Sequence, residues 1–531
     1  MSGSAAVELS NPGREEEIKL EIPKYEYRKP TEEELASCRC CRIFLVVLFL
    51  ILLVGLLAAA IVLIATTERC NKRGQKAEVS LAYHIHVPSF FDSDNDGYGD
   101  LNGVKLKTNY LKSLGVKTVV LNEADKNEVK SLVDALKDDG ISVYLGLPNY
   151  VNEDSDWFIA SQNGSSKRDW FIWHTNGSVN DWKTSSGSKA WHQAKDGTYF
   201  YSYYGKEKPM LNYMNEDVVA AVKAMHKSLM NFGVKGFVLG DVSRLTVDIN
   251  VVDGDQNQKS SHQVLHKLST YIRSLGGQVW AITGNSIQDS TEYYGSESMK
   301  EADVVVFNQF ASMKTFPDAS TMNATLTQVF DNTPTYGSSA MIIGGPSYSR
   351  AATKLSPDEA SFMNLFMMTL PDKYLAYYGD ELNMKDNLDG SSTSIMQWNN
   401  TLNAGFTKNT SGPYIKLGND DYKKSNVESK RDGLFNKLAK LRASLESFAK
   451  ASVEIISTKN NVLLFVHEKK ILVIANFGAT EVKGINIKND KIDITEVKVL
   501  FSSDKDQIGK GLDLKSIDAP GYYVCVAEIT K

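Results

Sequence analysis

A membrane-spanning helix, then a closed TIM-type (β/α)8 barrel, then a small antiparallel β-sandwich is the architecture this α/β sequence predicts. Three observations predict it. Residues 43–65 form an apolar run of 23 residues without a charge, against the roughly 20 needed to cross a hydrocarbon core. Beyond residue 79, eight short β-branched runs alternate with helical patterns, the rhythm of a closed parallel barrel. From Val453 the texture changes to closely spaced strands, as in Val462–Val466, a Glu468-Lys469-Lys470 turn, and Ile471–Ala475.

Residues 1–42 are polar, carry acidic clusters at 15–17 and 32–34, and read as a solvated cytoplasmic tail. Cys38, Cys40 and Cys41 close that tail and are candidate palmitoylation sites. The apolar run at 43–65 lies too far in, and is too long, for a cleaved signal peptide. Within it Gly55 and Ala59 would let a partner helix approach closely. A charged neck follows at 66–78, where Cys70 has no local partner; an odd cysteine in an oxidising space suggests intermolecular pairing. Positive charges flank both ends of the run almost equally, so the positive-inside rule does not orient it. Five Asn-x-Ser/Thr sequons, at Asn163, Asn176, Asn323, Asn399 and Asn409, all follow the anchor and allow an extracellular C-terminus. The expectation is thus a single-pass, type II plasma-membrane glycoprotein.

The barrel is expected over 79–446. Its strand candidates are Leu81–Val87, Lys117–Leu121, Ile141–Leu145, Gly236–Leu239, Gln278–Ile282, Asp303–Phe307, Ala340–Ile343 and Tyr374–Tyr377. Helical patterns at Glu128–Leu136, Val218–Leu229, Val264–Ile272, Pro357–Met368 and Leu434–Leu445 fall between or after them. An aromatic- and glycine-rich stretch, 151–211, interrupts the alternation and reads as a loop excursion. Residues 447–531 form the β-sandwich, where Cys525 reads as a buried thiol. With a net charge of -5 there is no basic footprint for nucleic acid.

The first strand runs into Asp92-Ser93-Asp94-Asn95-Asp96-Gly97-Tyr98-Gly99-Asp100. Carboxylates at alternate positions suit a hard cation with oxygen ligands. Asp92, Asp94, Asp96 and Asp100 would offer side-chain oxygens and Tyr98 its carbonyl, and the expected ion is Ca2+. His84 and His86 share a strand face but lack a third ligand, so their role is structural.

The same segment carries a resemblance. Tyr83-His84-Ile85-His86, Ser89-Phe90 and the Asp/Gly loop open it. Pro148-Asn149-Tyr150, Gly236-Phe237, Leu370-Pro371, Tyr378-Gly379-Asp380-Glu381 and Met396-Gln397-Trp398 follow in order. Together they resemble the α-amylase family of glycoside hydrolases over about residues 79–531. A retaining glycosidase needs two carboxyl groups about 5–5.5 Å apart. In the family the fourth strand reads Gly-Phe-Arg-x-Asp; here Val238 replaces the Arg and Gly240 the nucleophile. Gly284 stands where the fifth strand should end in the acid/base Glu, and Gly345-Pro346-Ser347 replaces Asn-His-Asp. Leu145 and Tyr150 replace the third strand's Asp and the His after it. Asp241, one place beyond the nucleophile position, is expected to face the other way on its strand. Glycine offers neither a nucleophile nor a proton, so no enzymatic activity is expected.

An anchored, amylase-like domain without its acids and with Glu68-Arg69-Cys70 outside the membrane resembles the heavy chains of heteromeric amino-acid transporters. That resemblance implies a non-catalytic subunit, disulfide-linked through Cys70 to a multi-span light chain and supporting its stability and surface trafficking. Two alternatives stay open: a membrane-anchored α-glucosidase using Asp241, and a glycan-binding or adhesion receptor.

Overall fold

The computed structural model describes residue 31, residues 43–58 and residues 81–531. Within the last span, 123–125, 163, 165, 176–179, 252–253, 285, 418–420, 450–452 and 488–493 are not described. The chain divides into two units, 1–71 and 72–531. In the first, residues 43–58 are helical with exposed side chains, from Leu48 at 42% to Leu56 at 69%. The remainder of the expected span, 59–65, lies outside the described residues, as do Cys38, Cys40, Cys41 and Cys70. Among the described residues no helix is long and apolar enough to cross a membrane.

In the second unit eight parallel strands close a barrel. They are β1 (Leu81–His86), β2 (Val116–Asn122), β3 (Ser142–Leu147), β4 (Gly236–Leu239), β5 (Gln278–Ile282), β6 (Val304–Phe307), β7 (Ser338–Met341) and β8 (Lys373–Tyr377). β1 pairs with both β2 and β8, which closes the ring. The strands read as continuous apolar runs because both faces are covered. Along β6, Val304 and Val306 join the barrel interior with Ala82, Val120, Val238, Trp280, Ala340 and Leu375. Val305 and Phe307 instead join the outer layer under the helices. The seventh strand, Ser338–Met341, lies two residues before the Ala340–Ile343 that the sequence predicts. Ile342 and Ile343 are buried and β-branched, so they imitate strand residues although the strand ends at Met341.

The barrel helices are α1 (Leu101–Leu106), α2 (Thr108–Ser113), α3 (Lys126–Asp138), α4 (Glu216–Asn231), α5 (Lys259–Ser274), α6 (Ala319–Asn332), α7 (Pro357–Met367) and α8 (Leu434–Ser444). α7 starts on a capping box in which Ser356 Oγ accepts from Glu359 N and Glu359 Oε2 from Ser356 N, with Pro357 in the first turn.

The stretch 151–211 is a small folded subdomain and not a loop. It contains a helix, Asp156–Gln162, and a three-stranded antiparallel sheet of Trp173–His174, Tyr199–Tyr201 and Trp191–Gln193. Trp182, Ala190, Trp191, Tyr201 and Met210 form its core. Strands of two or three residues are too short to show a period, which is why composition alone suggested a loop.

The C-terminal strands are β9 (Val453–Lys459), β10 (Val462–His467), β11 (Ile471–Asn476), β12 (Val482–Ile485), β13 (Val497–Ser502), β14 (Ile517–Ala519) and β15 (Tyr523–Ile529). They form a five-stranded antiparallel sheet in the order β9-β10-β11-β15-β13, and a two-stranded β12-β14 sheet. One face of the larger sheet, with Leu463, Phe465, Val473 and Val524, packs into the barrel's outer layer. The other, with Leu464, Ile474, Cys525 and Ala527, packs with Ile517 and Ala519 of β14. Cys525 is free and buried there, and burial pushes its thiol up to about 12, so it serves as a small hydrophobe.

Candidate functional site

Functional groups on a barrel of this kind gather where strands end at the C-terminal rim. β4 ends at Leu239 and is followed by Gly240; β5 ends at Ile282 and is followed by Thr283 and Gly284. A Cβ added at either glycine would meet nothing within 4 Å. The two positions that the family resemblance pairs with a glycosidase's acids therefore open into free space. Val238 is 2% exposed in the apolar interior, so no guanidinium reaches the rim from its position. Leu145 points outward into the helix-facing layer.

Asp241 does not sit on a strand, so the parity expected of it does not apply. It adopts a left-handed conformation (φ 41°) just past β4. Its Oδ2 accepts from Tyr204 Oη at 2.9 Å and its Oδ1 from Ser243 Oγ at 2.5 Å. Arg244 Nε lies 3.9 Å from Oδ2, and Arg244 Nη2 lies 3.2 Å from Asp255 Oδ2. The guanidinium carbon of Arg244 is 3.8 Å from the centre of the Tyr203 ring. Burial, then the Asp241 charge, hold the Tyr204 hydroxyl well above its ordinary range. Asn149 Nδ2 donates to the carbonyls of Asp241 and Arg244, fixing this turn from the end of β3. Tyr150, beside it, packs on Tyr204 with centroids 5.0 Å apart. After β7, Tyr348 packs against the barrel interior. Sequence reasoning missed the Tyr203–Tyr204–Arg244–Asp255 constellation, because its members are up to 52 residues apart and share no local spacing.

The motif Tyr378-Gly379-Asp380-Glu381 is structural. Glu381 accepts from Tyr83 Oη (2.7 Å), from Tyr110 Oη, and from Gly379 N (3.1 Å). Asp380 lies 3.8 Å from the fully buried Arg350 and accepts from Tyr377 N. Burial raises both carboxyls, Asp380 to about 7.

In the acidic loop, carboxylate oxygens of Asp92, Asp94 and Asp100 all lie within 4.8 Å of one another. Asp92 accepts from Asn95 N (2.7 Å) and Gly97 N (2.9 Å), and Asp100 from Ser93 N (2.8 Å) and Gly103 N (2.6 Å). Asp94 accepts from Asp96 N, yet desolvation and the neighbouring Asp96, Asp92 and Asp100 carboxyls hold it above its ordinary value. Such crowding fits a hard cation. Asp96 is outside this trio and accepts from Tyr98 N (2.7 Å), while the half-exposed Tyr98 ring stacks on Tyr414 at 4.6 Å. His84 and His86 are buried, His84 against the Tyr377 ring and His86 bonded to Ser89 Oγ (3.0 Å). Burial lowers His84 to about 4, so it stays neutral.

Three of the five sequons are described. Asn323 lies on α6, where its Oδ1 accepts from Thr327 Oγ1 at 3.4 Å. Asn399 Oδ1 accepts from Thr401 N and Oγ1, and Asn409 Oδ1 from Ser411 N. Asn163 and Asn176 lie outside the described residues.

Residues 124–451 match the family model described as alpha amylase, catalytic domain. Among curated proteins the chain is similar to the amino acid transporter heavy chain SLC3A1 of Homo sapiens, 28% identical over 450 residues, covering 70% of this chain and 64% of that one. It thus spans just under two thirds of that relative's length. It is also similar to an alpha-glucosidase of Culex pipiens, 24% identical over 411 residues, covering 65% of this chain and 70% of that one. Among solved structures, trehalose-6-phosphate hydrolase of Bacillus licheniformis superposes with a TM-score of 0.73 at 20% identity, covering 86% of this chain and 99% of that one.

Proposed function

The chain belongs to the α-amylase catalytic-domain family, and from that premise we propose that it serves as a non-catalytic heavy chain for an amino-acid transporter. In this reading residues 43–65 anchor it once in the plasma membrane, with the barrel and C-terminal sheets outside. Cys70 forms a disulfide to a multi-span light chain, and the tether raises the effective concentration of weaker membrane and surface contacts. The observation that carries the reading is the pair Gly240 and Gly284, with open space where a retaining glycosidase holds its two acids. The similarity to a transporter heavy chain supports the same assignment. Asp92, Asp94 and Asp100 would hold Ca2+, which neutralises their mutual repulsion and ties the loop after β1 to the start of α1.

Purification of the full chain from its native membrane without reductant tests this. The expected result is a covalent complex with a multi-span protein, dissociated by reductant and absent in Cys70→Ser. A partnerless chain that hydrolyses an α-glucoside, with activity lost in Asp241→Asn, would overturn it. That outcome is the α-glucosidase reading, whose support is the position of Asp241 beside the β4 rim and the similarity to an alpha-glucosidase.

A further inference from the structure

On the outer side of the barrel, α5 carries His262-Gln263-Val264-Leu265-His266. Helical residues four apart share a face, with Cβ atoms about 5–6 Å apart. Two imidazoles at that spacing chelate a single metal ion in helical zinc sites. Both histidines are half-buried, while Val264 and Leu265 between them are buried.

Both rings are held in one orientation and one tautomer. His266 Nδ1 lies 2.8 Å from Lys300 O. A carbonyl oxygen only accepts, so the proton sits on Nδ1. His262 Nδ1 lies 2.9 Å from Glu301 Oε2, and the ring is stacked on Tyr293 at 4.2 Å. The carboxylate likewise takes an Nδ1 proton. Each neutral ring therefore keeps a lone pair on Nε2. Neither Nε2 bonds to a protein group among the described residues, and both reach solvent. Lys300 and Glu301 are neighbours, so the two Nδ1 edges face one short segment and the Nε2 edges turn away from it. A ring with Nδ1–H on a carbonyl or carboxylate and a free Nε2 is how metal-bound histidines are supported.

The local charge agrees. Glu301 is 6% exposed, and its ion-pair partner among the described residues is His262. Nearby cations are engaged elsewhere, Lys267 with Glu216 and Arg273 with Asp303. A cation on His262 Nε2 would offset the buried carboxylate through the ring. A proton on His262 would do the same, but it gives no role to the matching orientation of His266.

We infer that His262 and His266 bind one borderline divalent cation, of which Zn2+ is the type, through their Nε2 atoms. Imidazole selects such ions over Ca2+ or Mg2+. Among the described residues no third His, Cys, Asp or Glu joins the pair, so water completes the coordination. Gln263 stands where a zinc peptidase carries its general-base Glu, which makes this a binding site and not a hydrolytic one. The inference goes beyond the heavy-chain reading and does not depend on it.

Calorimetric titration of the purified full chain with ZnCl2 tests it. Accessible cysteines are alkylated first, so that Cys38, Cys40, Cys41 and Cys70 do not compete, and Ca2+ is present to occupy the acidic loop. One saturable Zn2+ site is expected, weakened at least tenfold in His262→Gln and in His266→Gln. In the unmutated chain Zn2+, but not Mg2+, should slow the reaction of both histidines with diethylpyrocarbonate at least threefold, read by peptide mass spectrometry. That measurement needs no variant and serves if the substitutions fail to fold. The absence of a saturable site, affinity within twofold of wild type in both variants, or equal labelling of both rings with and without Zn2+ overturns the inference.

Discussion

Arg442→Met should destabilise the folded unit by about 3 kcal/mol. Arg442 lies on α8, is 1% exposed, and donates from Nη1 to the carbonyls of Met368 (2.5 Å) and Leu370 (2.7 Å) and from Nη2 to that of Asp372 (2.5 Å). These carbonyls end α7 and lead into β8, and the neighbouring carbonyl, Thr369 O, takes a bond from His467 Nε2 at 2.6 Å. Two side chains from distant parts of the chain thus satisfy the carbonyls of the turn from α7 into β8, which, buried, need donors. Methionine keeps the aliphatic stem and removes the donors. Each stranded carbonyl costs about 2 kcal/mol, so three cost about 6 kcal/mol. Against this, the variant no longer buries a cation. Burial pulls the guanidinium down to about 10, which corresponds to about 3 kcal/mol of desolvation. The difference leaves about 3 kcal/mol. Arg442→Lys, with donors for only some of the carbonyls, should lose about half as much. Urea unfolding followed by tryptophan fluorescence gives the measurement. A Met variant within about 0.5 kcal/mol of wild type would refute the reasoning.

Gly103→Ala should cost about 3 kcal/mol, at the upper end of overpacking penalties, because its Cβ would lie 2.0 Å from Phe91 O; thermal denaturation checks it. Gly240→Asp should change stability by under about 1 kcal/mol, since its Cβ meets nothing, and should still leave maltose intact, because its sugar leaving group needs a proton that Gly284 cannot donate. Ca2+ at about 100 times its dissociation constant should stabilise the chain by about 2.7 kcal/mol; a chelator should reverse the gain and Asp100→Asn remove it, as read by differential scanning calorimetry. Asp380, raised in the fold to about 7, contributes stability that is full below its unfolded value near ~4 and lost as pH rises through about 7. Asp380→Asn should flatten that decline, measured as unfolding midpoints across the same window.

The sequence by itself determined the barrel and the loss of the glycosidase acids. β-branched runs such as Val304-Val305-Val306 are covered on both faces by one cylinder and its helices, so their composition reports their place. A missing carboxylate is equally plain, since no fold can give Gly240 or Gly284 a side chain. The acidic loop was legible too, because its residues are close in the chain, although only Asp92, Asp94 and Asp100 converge. Tertiary structure alone decided the rest. The subdomain within 151–211 is held by Trp182, Trp191 and Tyr201 meeting across strands too short to show a period. Asp241 is engaged by Tyr204 from the preceding excursion, and the end of α7 by Arg442 and His467. Such contacts join residues tens of positions apart, where folding geometry sets the pairing and no local pattern records it.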